Sequence, residues 1–405
     1  MLNVVIINGG RGAAALIPAL LAQQGLNVTS VVNAYDDGKS TGEIRRFFGM
    51  LGPSDIRKVQ ELLLPENDPD HRAHLHLFQY RYPEDCNRAD VMAGLRSFSD
   101  GSSENLVGVQ FSNQKMNKAL CRFVGEFLDG LQGIEKARGE QFSFADCSIM
   151  NCIYAGAFLV FDRNIETAAR YIDSLFKLKG TVLPTSIEDK KLVALRENGE
   201  MLYCEADIVE LRSNARIERI FLLDNNLDKE RFELLDLEEK RSFLNRHHCF
   251  VGVSQGVRLA LQQADIIIYS AGTQHSSLYP TYMSSGLAEA IADNKALKVF
   301  VTNIGADYET PSYKASDFIL GAYRYLCLSG TRDYKMSELF DVVLINRSKL
   351  KSDATYVEFD EAAFSDIPLM RIVDDFESTS QSGKHDGPKI VRKILSLYES
   401  STSLA

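Results

Sequence analysis

The sequence predicts an α/β protein in which a mostly parallel sheet carries a helical insertion and a β-hairpin excursion. Three observations point there. A short β-branched run, Val4 to Ile7, empties into Gly9-Gly10-Arg11-Gly12 and then into helical spacing over Ala13 to Gln23. A second run, Val28 to Val32, follows; strand, helix and strand make a βαβ unit, which demands parallel pairing and a right-handed crossover. The same character returns late, with the strand Ala264 to Tyr269, a helix over about Ser284 to Asn294 and the strand Lys298 to Asn303.

Between these ends the period changes twice. Asp55 to Leu64 and Asn113 to Gly130 carry apolar residues at helical spacing, so the stretch from about 43 to 175 reads as a mainly helical insertion. Within it, Pro65 to Pro83 and Ser97 to Asn105 are polar and turn-rich and are expected to be loops. Leu192 to Leu195, Asn198-Gly199 and Met201 to Ile208 read as a hairpin turning on Asn-Gly, with Ile217 to Leu223 as a further strand. Asp228 to Arg246 reads as solvated helix. Beyond about residue 350 the chain is more polar, with a Ser/Gly/Asp linker over Glu377 to Pro388 and a last amphipathic helix, Lys389 to Tyr398. Glycine loops occur near both ends, so one sheet must draw on both. The expected division is one large domain over 1–350 and a C-terminal extension over 351–405.

Composition removes several function classes. The 405 residues hold 45 Lys plus Arg against 55 Asp plus Glu, a net charge of −10 that disfavours broad binding to nucleic acid. Hydrophobic residues at 45% exclude a wholly disordered chain. Ser148 to Phe161, an apolar uncharged stretch, is too short to span a bilayer. The start MLNVVIINGG enters a strand with no basic leader, and seven Cys without a Cys-x-x-Cys pair indicate neither a disulfide framework nor a zinc ribbon. A cytoplasmic protein without a membrane partner is the expectation.

Three motifs carry chemistry. Gly10-x-Gly12-x-x-Ala15 follows a strand and opens a helix, where glycines admit a phosphate to free N–H groups; a plain tight turn is the bland alternative. With Asp36 near the end of the second strand, it also fits a nicotinamide-binding protein. The second motif is Asn33-Ala34-Tyr35-Asp36-Asp37-Gly38-Lys39-Ser40-Thr41-Gly42. It imitates a Walker A tail, but Asn33 stands where glycine is required, so that reading fails. Paired carboxylates Asp36 and Asp37 suit Mg²⁺ on a diphosphate, with the Ser40 and Thr41 hydroxyls and loop amides meeting phosphate oxygens; a capped turn is the alternative. In the third, Ile266 to Tyr269 runs into Ser270-Ala271-Gly272-Thr273-Gln274-His275-Ser276-Ser277, a hydroxyl-rich loop at a strand's carboxyl end. His71-x-x-His74-x-His76 has ligand-type spacing, but in a polar loop without a fixed acid or Cys partner it reads as no metal site. His247-His248-Cys249 is discounted likewise, and Cys147 and Cys152 read as core thiols.

Together, and in this order, the motifs resemble those of the CofD/YvcK family, which holds 2-phospho-L-lactate transferases and nucleotide-sugar-binding regulators of carbon metabolism and cell-wall growth. Gly9 to Gly12 is similar to the family's opening Gly-Gly-x-Gly turn, and Asp36 to Gly42 to its Asp-Asp-Gly-x-Ser-x-Gly loop. Ser54-Asp55-Ile56-Arg57 resembles its Gly-Asp-Ile-Arg helix start, and Met150-Asn151 through Gly156 its Gly-Asn helix. Val182 to Thr185, Gln263 to Ser277, Lys298 to Asn303 and Tyr313 to Asp317 complete the match, the later segments resembling the regulator branch in particular.

The resemblance implies a Rossmann-like three-layer sandwich binding a nucleoside diphosphate or nucleotide-sugar, of GDP or UDP type, at the strand carboxyl ends. It implies Mg²⁺ and diphosphate at Asp36 and Asp37, which would also be the catalytic pair of a phospho-group transferase. Asn33 and Asn151 would line the pocket, with Gly9, Gly10, Gly12, Asp55, Arg57, Gly272, Thr273 and Ser276 at the ligand. Departures are Arg11 for Thr, Lys39 for Gly, Ser54 for Gly, and Ser270-Ala271-Gly272-Thr273 for Gly-Pro-Gly-Ser. Arg11 and Lys39 could bind phosphate directly; they equally fit a changed ligand or lost catalysis. The expected partners are the nucleotide, a second copy in a homo-oligomer and, for a non-catalytic regulator, a protein.

Overall fold

The computed structural model describes residues 1–10, 12–347 and 355–402, the side chains of Lys39 and Thr402 excepted. Seven strands form the central sheet: β1 (Leu2–Asn8), β2 (Leu26–Val32), β3 (Thr181–Pro184), β7 (Ile266–Tyr269), β8 (Leu297–Val301), β9 (Val342–Asn346) and β10 (Met370–Asp374). Three more, β4 (Lys191–Arg196), β5 (Met201–Leu202) and β6 (Ile217–Leu223), form a small antiparallel sheet in the order β5-β4-β6. The central order is β10-β9-β8-β7-β1-β2-β3, and every pairing in it is parallel. Helices cover both faces, so the inner strands are continuous apolar runs rather than alternating ones: Val4 to Ile7 and Ile266 to Tyr269 are buried throughout.

That order sets the site. From β1 the chain builds outward through β2 and β3, then crosses back to β7 on the other flank of β1 and continues to β10. The reversal opens a crevice between the carboxyl ends of β1 and β7, where open α/β sheets receive ligands.

The insertion between β2 and β3 is helical as expected, with one correction. Pro65 to Pro83, read as loop, contains the helix His71–Gln79. Its three histidines, Arg72 and Gln79 make it look polar, but His74, Leu77 and Phe78 fall on one face at helical spacing and are buried. The long helix Gln114–Arg138 ends on Gly139 at φ 70°, and lies against Ile149–Val160 so closely that a Cβ on Gly156 would overlap the Phe123 carbonyl.

The hairpin turns on Asn198-Gly199 as expected, with Gly199 at φ 87°. Its second strand is shorter than the pattern suggested. It stops at Leu202, and Glu205–Glu210 is a helix, started by the extended Cys204 and by Tyr203 N–H donating to Asp207 at 2.9 Å. The charged stretch after β6 is two helices, Lys229–Glu233 and Leu237–His247, the second opened by an Asp236/Glu239 capping box. At the C-terminal side β10 forms the sheet edge beside β9. The helix Gly387–Thr402 buries Ile390, Val391 and Ile394 and approaches the helix Leu16–Leu21 closely at Gly387. No helix among the described residues is long and apolar enough to cross a membrane.

Candidate functional site

The three loops anticipated from sequence meet at the crevice, and glycine is required there by packing. A Cβ on Gly12 would lie 2.5 Å from the Ala271 carbonyl oxygen and 3.0 Å from Gly272 Cα. One on Gly9 would lie 2.8 Å from Ser277 Cβ, and one on Gly10 would overlap the Asp55 carboxylate. The turn after β1 is thus pressed between the turn after β7 and the helix Ser54–Leu62. Asn33, at the end of β2, ties the second loop to the third: its Nδ2 donates to the Ser276 carbonyl at 2.8 Å while its Oδ1 accepts from Tyr35 N–H at 3.1 Å.

Both N–H-rich turns already hold a protein carboxylate. Gly10 N–H donates to Asp55. The loop after β7 forms a π-helical turn, Gln274–Leu278, whose His275 and Ser276 N–H groups donate to Glu309 Oε2 at 2.9 and 3.0 Å. The Ser276 hydroxyl donates to Glu309 Oε1 and lies 3.1 Å from Thr273 Oγ1, which in turn lies 3.0 Å from the Ser277 hydroxyl. π-Turns of this kind cluster at functional sites.

The acidic loop divides its two aspartates. Asp36 Oδ1 accepts from Gly38 N–H at 3.0 Å and its Oδ2 lies 3.6 Å from Lys58 Nζ, which bonds Asp55 at 3.0 Å. Asp37 Oδ1 accepts from Ala206 N–H at 3.0 Å, at the start of the Glu205–Glu210 helix, and Asp37 N–H faces Glu205 at 3.5 Å. Arg45 stiffens the loop by donating to the Tyr35 carbonyl and to Asp189, both at 2.6 Å.

One electrostatic field links these groups. Burial first, then the charges of Asp36, Asp37, Asp55 and Glu309, push Glu205 up to about 9. Burial raises Glu309 to about 7, and raises Asp37 and Asp55. Burial works against the charge on Lys58, but Asp55 and Asp36 outweigh it and raise the ammonium. Among the described residues, five carboxyl groups thus share one field with Lys58 and Arg45, and four of them hold their protons to higher pH than usual. Mg²⁺ keeps several waters and needs only one or two protein carboxylates beside a phosphate, so Asp36 and Asp37 are the residues here that could hold it.

The remaining expected residues are placed as follows. Ser40 and Thr41 are buried, and accept from Asn151 Nδ2 at 3.3 and 3.4 Å, while Asn151 Oδ1 is buried without a hydrogen-bond partner among the described residues. Arg57 donates to the Phe78 carbonyl at 2.9 Å, and burial lowers its pKa. Gly272 is held through its N–H and carbonyl by Asn303, both at 3.0 Å. Arg11 and the side chain of Lys39 lie outside the described residues. Glu205, Glu309, Lys58 and Asn303 were not singled out from sequence. Only Lys58 carried a signal, one helical turn beyond Asp55.

A family model described as 2-phospho-L-lactate transferase CofD matches residues 4–375. A protein of Thermoanaerobacterium thermosulfurigenes is 25% identical over 404 residues, 98% of this chain and 97% of its own. The gluconeogenesis factor of Listeria monocytogenes is 22% identical, over 99% and 97% respectively. The crystal structure of BH3568 from Bacillus halodurans superposes with a TM-score of 0.66 at 21% identity, covering 97% of this chain and 99% of that one, and so has the same fold. With a family model spanning nearly its whole length, the chain belongs to the CofD family.

Proposed function

We propose that the chain binds a nucleoside diphosphate or nucleotide-sugar, of GDP or UDP type, in the crevice between β1 and β7. One arrangement supports this reading: the turns after β1, β2 and β7 converge at the point where the strand order reverses, with Lys58 paired to Asp36 and Asp55 among their carboxylates. Asp36 and Asp37 would hold Mg²⁺, which when bound offsets charge on a diphosphate. Lys58 would meet a phosphate oxygen, while Asn33 and Asn303 keep the loops in register. Gly38, Gly272 and Thr273 are half-exposed in these turns. Full-length similarity to a gluconeogenesis factor supports a regulator that carries the ligand and presents an altered surface to a protein partner.

A second reading, transfer of a phospho-group with Asp36 and Asp37 at the reacting diphosphate, draws on the description of the family model. Calorimetry with UDP-sugars, GDP, GTP and NAD, with and without Mg²⁺, tests the binding. Unchanged affinities in Asp36→Ala and Asp37→Ala would sink the site. Single turnover with a labelled nucleotide diphosphate separates the two readings, since tight binding without product over hours leaves the regulator.

A further inference from the structure

The histidine helix outside the crevice brings together a donor set that its sequence spacing did not reveal. Asp68, Asp70 and His74 each place a carboxylate oxygen or ring nitrogen within 4.8 Å of the other two. Asp70 stands at the N-cap of the helix His71–Gln79, so His74, four residues on, lies above it on the same face. The spacing His71-x-x-His74-x-His76 is therefore the wrong one to read: the partners of His74 are the acids before the helix.

His74 points to a ligand independently of the acids. It is 2% exposed, and neither ring nitrogen has a hydrogen-bond partner among the described residues. Buried polar atoms are overwhelmingly paired, so a buried imidazole whose two nitrogens lack a described partner asks for an occupant. Its ring is fixed by stacking on Phe111 with centroids 5.9 Å apart and by an edge contact to Phe176 at 5.1 Å.

The carboxylates are oriented too, each by one oxygen. Asp68 Oδ1 accepts from Asp70 N–H at 2.9 Å. Asp70 Oδ2 accepts from the Ser112 N–H at 2.9 Å and hydroxyl at 2.6 Å. Such outer bonds aim a ligating carboxylate and are typical support for a metal. Lys177 Nζ lies 3.9 Å from Asp68 Oδ2, at the end of a 68% exposed side chain that is free to swing away.

We infer that Asp68, Asp70 and His74 bind a divalent first-row transition-metal ion, Zn²⁺ foremost. An imidazole beside two carboxylates selects such a metal over Mg²⁺ or Ca²⁺, which take oxygen ligands. The ion would clamp the 68–74 segment to the loop at Ser112. This site is separate from the Mg²⁺ reading of the crevice, and neither depends on the other.

The test uses the full chain, stripped of metal with a chelator and titrated with Co²⁺ and then Zn²⁺. Expected are one Co²⁺ per chain with a visible absorption band, displacement by Zn²⁺, and a raised melting temperature. His74→Gln and Asp68→Asn should each weaken Co²⁺ binding at least about tenfold, while Asp85→Asn, at an exposed acid outside the cluster, leaves it intact. No band in the wild type, or equal affinity in Asp68→Asn, overturns the assignment. Should His74→Gln fail to fold, X-ray absorption of the wild-type Co²⁺ form decides: one imidazole in the metal's shell supports the site, and a shell without imidazole overturns it.

Discussion

Ser276 holds Glu309 twice, donating its backbone N–H to Oε2 at 3.0 Å and its hydroxyl to Oε1. An internal carboxylate thus sits where the loop after β7 would otherwise offer bare N–H groups to an anion. Glu309→Ala strands two buried donors, His275 and Ser276 N–H, and should lower stability by about 1–3 kcal/mol. Glu309→Gln should lose less, because one amide oxygen keeps both N–H bonds and the Ser276 hydroxyl can turn to accept. Urea unfolding of the two variants against wild type checks the order.

The raised carboxylates give the metal-free protein a distinctive response to pH. A folded pKa above the unfolded one means that the native state binds more protons, so stability is greatest in acid and declines as pH rises through the folded values. For Glu309 the decline runs from about 4.5 to about 7, and for Glu205 from about 4.5 to about 9. The melting temperature without divalent metal should fall across this window. Glu205→Gln should flatten its upper half. A melting temperature that climbs from pH 5 to 8, roughly the span of these shifts, would contradict the shared field.

Lys58 is the described cation between Asp36 and Asp55. Replacing it with Met keeps the stem but leaves both carboxylates without their ion pair. Nucleotide affinity should drop about tenfold or more, the worth of one charge-assisted hydrogen bond. Isothermal titration with GDP and a UDP-sugar measures this, and a Lys58→Arg variant should recover part of the loss.

Gly12→Ala drives a methyl group into the Ala271 carbonyl, 2.5 Å away, and forces the turns of β1 and β7 apart. Overpacking of this kind costs about 1–3 kcal/mol, and here it also opens the crevice. Reduced thermal stability together with lost nucleotide binding is expected; Gly133→Ala, at an exposed and uncrowded position of the helix Gln114–Arg138, tests whether any glycine would do.

The parts of the site legible in sequence were those written in consecutive residues. Gly9 to Gly12, Asp36 to Thr41 and Gly272 to Ser276 sit directly after strands, and parallel pairing of those strands brings them to the same, carboxyl end of the sheet. Glu205 was hidden because Met201 to Ile208 alternates like a strand, while the Asp207 side chain in fact turns it into a helix. Glu309 lies in a loop with no periodic pattern, and only packing against the π-turn brings it in. His74 was hidden by its own neighbours: three histidines in nine residues look solvated until the helix sorts them by face. Local pattern located loops; charge balance inside the crevice required the fold.

The central place of β1 bears on how the protein is made. Asn3 N–H donates to Asp265, 262 residues away, while the same strand pairs on its other side with β2 close by in sequence. Contacts spanning that distance slow folding, because a long loop must close before they reward it. On the ribosome, the apolar flank of β1 must wait uncovered while most of the chain is synthesised. Its Val4–Ile7 segment, β-branched and uncharged, is therefore the stretch that a chaperone would first have to shield from premature association.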